Sequence, residues 1–209
     1  MKILVLTMLM FLGASSLSAR KIKPPPKAFD LDKISFCVGG LVSAKGNINT
    51  GTIEGCENKP VFGMGDAGGS VSVLFGKIGL VFNVMYSTGG FSRYPYDDES
   101  FVSTNTYHHL VFNPNLYFGG LILGINLGKP LSNTKTSPEG NVTEHEDIEP
   151  LREMIIGAMI PVFQNRYTRL NVDIRAGYVW KRLGEELYPA SFSVGVSCYF
   201  KYRLPKSHK

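Results

Sequence analysis

Apolar and polar residues alternate along most of the chain beyond residue 33. The stretch LNVDIRAGYVWK, at residues 170–181, shows the pattern. Its apolar set is Leu170, Val172, Ile174, Ala176, Tyr178 and Trp180, and its polar set is Asn171, Asp173, Arg175 and Lys181. Because successive side chains of a strand point to opposite faces, the pattern predicts a β-strand with one apolar and one polar face. Helical periodicity is poor, and only residues 149–154 look helix-like.

Eight segments with this period, bounded by turn-forming residues, predict eight strands. They are 34–45, 66–75, 78–91, 106–113, 116–127, 152–163, 168–181 and 190–202. Three connections are tight, at Gly76 and Lys77, at Pro114 and Asn115, and at residues 164–167. The other connections are longer and span 46–65, 92–105, 128–151 and 182–189.

Short and long connections therefore alternate along the chain. In a meander, odd-numbered connections lie at one end of the sheet and even-numbered ones at the other. This order collects the short turns at one end and the long loops at the opposite end, as in outer-membrane barrels, which also have an even number of strands. The sequence predicts an all-β fold, an eight-stranded antiparallel up-and-down transmembrane β-barrel.

Alternation alone does not decide which face is inside, because a soluble lipocalin-like barrel has the same period. Two features favour the membrane barrel. The polar face is rich in Gly, Ser and Asn, which fit inside eight strands. Aromatic residues also gather near strand ends, as in interfacial girdles. These aromatic residues are Tyr86, Tyr107, Tyr117, Phe163, Tyr178, Trp180, Phe200 and Tyr202.

The N-terminus predicts export. Residues 1–19 combine a positive start, an apolar run and a small-residue exit, which is the pattern of a secretory signal peptide, with cleavage after Ala19 or Ser18. Residues 20–33 contain three consecutive prolines and many charges, and predict a periplasmic spacer. The barrel is predicted at 34–203, followed by a basic tail at 204–209. A chain that spans lipid without a helix needs a closed barrel.

Charge and cysteine usage exclude several classes of protein. The net charge of +5 comes partly from basic segments at 20–27 and 201–209. The middle of the chain has no basic patch with interleaved aromatics, so nucleic-acid binding is not predicted. The cysteines Cys37, Cys56 and Cys198 form no CxxC or His/Cys cluster, so no zinc site is expected. Strand parity turns Cys37 inward and Cys198 outward, which argues against a disulfide between them. A pairing of Cys37 with Cys56 stays open.

Three stretches resemble the PorT-like outer-membrane β-barrels within the OmpA-type eight-stranded group. They are GMGDAGGSVSVLFGKIGLVFNVMYSTGGF (63–91), TYHHLVFNPNLYFGGLILGINLGKPL (106–131) and FSVGVSCYFKY (192–202). The resemblance extends over about residues 34–202 and implies the fold and an outer-membrane location. The member that gives the family its name takes part in protein secretion across the outer membrane, so the resemblance also implies a secretion component as one alternative role.

The candidate site is an interior polar network. Its predicted members are Asn83, Asn126, Asn171, Asp173, Arg175 and Lys201. Asp173 and Arg175 lie two residues apart on one face, about 7 Å along a strand. Because a buried unpaired charge is costly, we expect them to pair with each other or with Lys45, Lys181 or Lys201. A salt-bridged plug is predicted, with a ligand or proton path as the alternative.

No catalytic, cofactor-binding or metal-binding residues are predicted. His108 and His109 are adjacent on a strand and point to opposite faces, so they cannot bind one metal ion together. A lipid-acting enzyme would need a histidine with a partner such as Ser87, Ser103 or Glu99, and no spacing singles one out. The acidic loops at 93–100 and 143–149 are interpreted as solvated external loops, with divalent-cation binding as an alternative.

The sequence thus predicts a non-enzymatic outer-membrane barrel with a structural or interaction role and with both termini in the periplasm. The alternatives are a secretion component, a lipid-acting barrel enzyme and a soluble periplasmic binder. The expected partners are outer-membrane lipid and lipopolysaccharide, the barrel-assembly machinery and, for the secretion role, secretion-system proteins.

Overall fold

The computed structural model describes residues 34–51, 55–95, 103–136, 142–144, 149–181, 183 and 189–203. All of these belong to the compact unit Leu31–Lys209. The predicted signal peptide, its cleavage site at Ala19, the spacer at 20–33 and the tail at 204–209 lie outside the described residues. No described helix is long and apolar enough to cross a membrane.

The described chain consists of β-strands. Eight of them are long: β1 (Ile34–Asn49), β3 (Val61–Phe75), β4 (Ile78–Pro95), β5 (Ser103–Phe118), β6 (Leu121–Thr136), β8 (Leu151–Gln164), β9 (Thr168–Val179) and β10 (Pro189–Arg203). Two are short: β2 (Cys56–Lys59), which pairs with the end of β4, and β7 (Val142–Glu144), which pairs with the end of β6.

The eight long strands form a closed antiparallel ring. Each pairs with its neighbours in chain order, and β1 pairs with both β3 and β10, which removes the free sheet edges. Closure is continuous, because β1 and β10 are in register from Ser35 opposite Arg203 to Asn49 opposite Pro189. The prediction of an eight-stranded antiparallel up-and-down barrel is confirmed.

The polar face of each strand points into the barrel and the apolar face points out. On β9, Asn171 is 0% exposed, whereas on the adjacent strand β10 Val194 is 46% exposed. The same holds on β4, where Asn83 is buried and its neighbour Val84 is 53% exposed. This is the inverse of a soluble protein, and it is the arrangement of a transmembrane barrel.

One predicted turn is wrong. Pro114 and Asn115 do not connect two strands. They lie inside β5, and the turn follows at Gly119 and Gly120, whose φ angles of 60° and 109° favour glycine. As a consequence, Tyr117 is buried inside the barrel, and it does not belong to the predicted outward girdle of aromatic residues; Tyr107 is also buried.

The side chain of Asn113 explains how a proline fits in this strand. Phe112 pairs with Leu127 and Asn115 pairs with Gly124, so Pro114 lies opposite Ile125. Proline has no N–H to donate to a carbonyl across the ladder. The Asn113 side-chain amide donates to the Ile125 carbonyl oxygen instead, at 2.9 Å. The ladder continues through the proline, which the sequence pattern alone does not reveal.

Other strand bounds also differ from the prediction. The helix-like segment at 149–154 contributes to β8, because Leu151 and Glu153 point inward while Arg152 and Met154 point outward. Strands β1, β3, β4 and β6 extend further toward the long connections than predicted. Most of their extra residues are polar or glycine, and this part of the chain has no clean alternation to mark it. The register between β8 and β9 shifts between Pro161 and Phe163, because proline has no N–H for the ladder.

Candidate functional site

The interior of the barrel contains polar residues between two apolar clusters. The cluster toward the short turns is Cys37, Leu74, Val81, Tyr117, Ile122, Met159 and Tyr199. The cluster toward the long connections is Leu41, Met85, Phe91, Tyr107, Val111, Leu151, Val179 and Leu183. Several fully buried polar side chains lie among them, so side chains fill the interior along its length. These polar residues are Asn83, His109, Asn113, Asn171 and Ser197.

An asparagine cluster holds the middle of the interior. Asn83 on β4 and Asn113 on β5 are directly opposite each other, and the Asn83 amide donates to Asn113 Oδ1 at 2.7 Å. Asn115 donates to the same oxygen at 2.7 Å, and Arg175 Nη1 reaches it at 3.4 Å. One asparagine oxygen therefore links three strands, which restricts the positions of all four side chains.

Asp173 and Arg175 form an ion pair inside the barrel, with Arg175 Nη2 3.9 Å from Asp173 Oδ1. Gly157 lies opposite Arg175 on β8, where a Cβ would come within 2.5 Å of the Ile174 carbonyl oxygen and 3.1 Å of Arg175 Cγ. The two residues therefore pair with each other, not with Lys45, Lys181 or Lys201.

Lys45 pairs instead with Asp66. The Lys45 ammonium lies 3.6 Å from Asp66 Oδ1 and donates to Ser87 Oγ at 3.3 Å. Ser87 donates to Asp66 Oδ1 at 2.5 Å, and Ser43 donates to Asp66 Oδ2 at 3.1 Å. The carboxylate thus has three polar partners, which compensates for its removal from water.

Glu153 and Arg169 are charged residues whose contacts within the described part of the chain are neutral. Asn126 donates to Glu153 Oε2 at 2.6 Å, and Ser191 donates to Glu153 Oε1. Arg169 Nε donates to Asn171 Oδ1 at 2.6 Å, and its Nη2 donates to the Tyr117 hydroxyl at 2.9 Å. Arg169 lies toward the short turns and Glu153 toward the long connections.

Two lysines that were predicted to lie inside, Lys201 and Lys181, are at the two ends of the barrel. Lys201 lies at the end with the short turns, where its Nζ donates to the Asn165 carbonyl oxygen at 3.2 Å. Lys181 was expected inside and is exposed, because β9 ends at Val179. It pairs with Glu149 at 3.1 Å near the long connections. The assignment of a functional role to the predicted network stays a prediction.

The histidines and cysteines of the described residues lie at separate places in the barrel. His108 points outward, stacked on Tyr86 with a Tyr86 Oη to His108 Nδ1 distance of 2.7 Å, and His109 is buried against Tyr107. The two histidines point to opposite faces, as predicted. Within the described residues no group of His, Cys, Asp or Glu could hold a metal ion, and Cys37, Cys56 and Cys198 are free thiols. Cys37 is inside and Cys198 faces outward, as the parity argument predicted.

Several residues of the interior polar network were not predicted from the sequence. Lys45, Asp66, Glu153, Arg169 and Asn113 were not assigned to the network. Glu153 was assigned to a helix-like segment, but its inward position follows once Leu151 and Ile155 are placed on the same face. A further signal is Gly177 on the neighbouring strand, where a side chain would overlap the Glu153 carboxylate and the Ser191 hydroxyl.

No family model and no curated protein matches the sequence. Among solved structures, the attachment invasion locus protein Ail of Yersinia pestis, in complex with the heparin analogue sucrose octasulfate, matches 81% of this chain and 97% of its own, with 13% identity and a TM-score of 0.39. Neisserial surface protein A matches 78% of this chain and 95% of its own, with 14% identity and a TM-score of 0.41.

The outer membrane protein AlkL, solved in lipid bilayers, matches 91% of this chain and all of its own, with 12% identity and a TM-score of 0.42. Likeness at this level says nothing about a ligand or a partner. The narrower resemblance to PorT-like barrels stays a prediction.

Proposed function

We propose that the protein is a non-enzymatic integral protein of the bacterial outer membrane, whose filled barrel anchors external loops that make structural or binding contacts. The observation that carries this proposal is the combination of an apolar outer surface with a closed, polar and side-chain-filled interior. Water solubility would require the opposite arrangement. Lipid and lipopolysaccharide are then the partners of the barrel wall.

The outer surface has the chemistry of a lipid contact. Large apolar side chains point outward on each of the eight long strands, for example Val42, Val71, Phe82, Leu110, Leu123, Ile160, Ile174 and Phe192. Toward the short turns, exposed aromatic residues form a partial girdle, namely Phe75, Phe118, Phe163, Tyr167, Phe200 and Tyr202. Phe62, Tyr178 and Trp180 lie at the opposite end. Two such bands mark the two interfaces of a membrane.

Strand length supports the orientation. A barrel strand needs about 9–11 residues to cross the membrane. The long strands have 12 to 18 residues, and the excess lies toward the long connections. Outer-membrane barrels keep short turns in the periplasm and extend their loops outward. We therefore place both ends of the barrel chain, Ile34 and Arg203, on the periplasmic side.

A filled interior supports an anchoring role over a transport role. The buried charges include two ion pairs, and the asparagine cluster crosses the middle of the barrel. Transport would require breaking these contacts together. The elements left to contact partners are the connections that extend from β1, β4, β6 and β9 at the outer end.

Surface labelling in intact cells tests the proposal. Each labelled variant carries a single cysteine, with Cys37, Cys56 and Cys198 replaced by serine. With a membrane-impermeant maleimide, we expect Ser100→Cys, in the connection between β4 and β5, to be labelled in intact cells. The matched variant Lys77→Cys, in a short turn, should be labelled only after permeabilisation. If only Lys77→Cys were labelled in intact cells, the orientation would be opposite to the one proposed. If neither variant were labelled before permeabilisation, a surface role would be contradicted.

A further inference from the structure

The end of the barrel with the short turns contains a cavity of about 570 Å³. Its wall combines the ends of β1, β8 and β10 with the turns at 76–77 and 119–120. The lining side chains relevant to binding are Ser35, Lys77, Tyr117, Gln164, Arg169 and Lys201. Three of these six are cationic, and the described part of the lining contains no Asp or Glu.

Arg169 is the deepest of the three cations and is 7% exposed. Its guanidinium is fixed in place by Asn171, by the Tyr117 hydroxyl and by the Tyr117 ring, whose centroid lies 5.1 Å from Arg169 Cζ. All of these partners are neutral. A buried guanidinium without a carboxylate in contact is costly, and an anion in the cavity would offset that cost.

The described interior carboxylates are not in contact with Arg169. Asp66 is committed to Lys45 and Asp173 lies 3.9 Å from Arg175. Glu153 lies toward the opposite end with Asn126 and Ser191. Among the described residues the guanidinium of Arg169 therefore has no acidic contact, and an anion that enters from the turn end would supply one.

We propose that this cavity is an anion-binding site that takes a phosphate group from the periplasmic side. A phosphate offers several acceptor oxygens and up to two negative charges, which matches the fork of Arg169 together with Lys77 and neighbouring polar side chains. The site goes beyond the anchoring role, because it lies at the end opposite the external loops. The phosphate group belongs either to a soluble anion or to a lipid headgroup.

Thermal unfolding of the full mature barrel in a phosphate-free, non-ionic detergent measures this binding. A ligand that binds only the folded state raises Tm in proportion to the logarithm of its concentration once the site is saturated. We expect inorganic phosphate to raise Tm at constant ionic strength, with chloride as the balancing anion. Removing one charge-assisted contact with Arg169→Gln should weaken binding about tenfold or more.

Two further variants serve as a second test of the cavity and as a control. Lys77→Gln changes an exposed turn residue that should not affect folding, and it should also weaken the phosphate response if Arg169→Gln does not fold. Lys129→Gln, an exposed lysine of β6 remote from the cavity, should leave the response unchanged. A phosphate response that is equal in all three variants would overturn the proposal.

A second arm identifies the source of the phosphate group. The same variants are measured in mixed micelles that contain phosphatidylglycerol or phosphatidylcholine, without inorganic phosphate. A rise in Tm with phosphatidylglycerol that depends on Arg169 or Lys77 identifies a lipid headgroup, whereas a response to inorganic phosphate alone identifies a soluble anion. Either result supports the site, and the absence of both responses would contradict it.

Discussion

At the scale of single residues, burial decides which charges matter. The pair Lys45 and Asp66 is inside, with side chains 5% and 10% exposed, whereas Lys181 and Glu149 are 46% and 50% exposed. Both pairs have similar chemistry. Water screens the outer pair, so its loss changes little. Loss of one partner of the inner pair leaves a charge in a medium that solvates it poorly.

Asp66→Ala should therefore destabilise the barrel by about 3–5 kcal/mol, because Lys45 loses its counter-ion and Ser43 and Ser87 lose their acceptor. The matched variant Glu149→Ala should cost less than about 1 kcal/mol. Urea-induced unfolding in lipid vesicles, followed by tryptophan fluorescence, measures both. Equal losses of unfolding free energy in the two variants would show that the inner pair is as well solvated as the outer pair.

At the scale of elements, β5 shows how a strand passes through a proline. The Asn113 amide replaces the missing proline N–H at the Ile125 carbonyl, and the same side chain accepts hydrogen bonds from Asn83 and Asn115. Backbone pairing and the interior asparagine cluster are thus coupled at one residue. A change at Asn113 affects both the wall of the barrel and its core.

This coupling predicts a non-additive double-mutant cycle. Asn113→Ala alone should cost about 2–3 kcal/mol, since several buried groups lose partners. In a Pro114→Ala background the alanine N–H can donate to Ile125, so the same change should cost about 1 kcal/mol less. The control is a cycle with Pro130→Ala, which pairs with His109 four residues earlier on β5 and should be additive. An additive Asn113/Pro114 cycle would show that the side chain does not substitute for the backbone donor.

The same strand shows the limit of prediction from pattern. Alternation and connection lengths were sufficient for the number of long strands, their antiparallel order and which residues of β10 share a face. They were insufficient where a side chain completes the backbone ladder, as at Pro114, because that contact depends on a neighbouring strand. For the same reason the sequence predicted that Asp173 and Arg175, which are close along one strand, pair with each other or with one of three lysines. It did not predict the pair of Lys45 and Asp66. These two residues meet only because β1 and β3 pair.

At the scale of the whole molecule, the filled interior predicts a lack of conductance. Fully buried side chains lie at several levels of the barrel, including Val81, Asn113, Val111 and His109. In planar bilayers the purified protein should give no stepwise currents of the size that an open porin gives. An open porin in the same bilayers is the control. Large, regular current steps would show that the interior residues move apart in the membrane.

The measurement that tests the central claim most directly is fractionation of the cell envelope, followed by denaturing electrophoresis with and without boiling. The claim is that the apolar faces contact lipid and that the closed ring of eight strands holds together in detergent. We predict that the protein lies in the outer-membrane fraction and that boiling changes its mobility. Release into the soluble periplasm by osmotic shock, with no change of mobility on boiling, would contradict the claim.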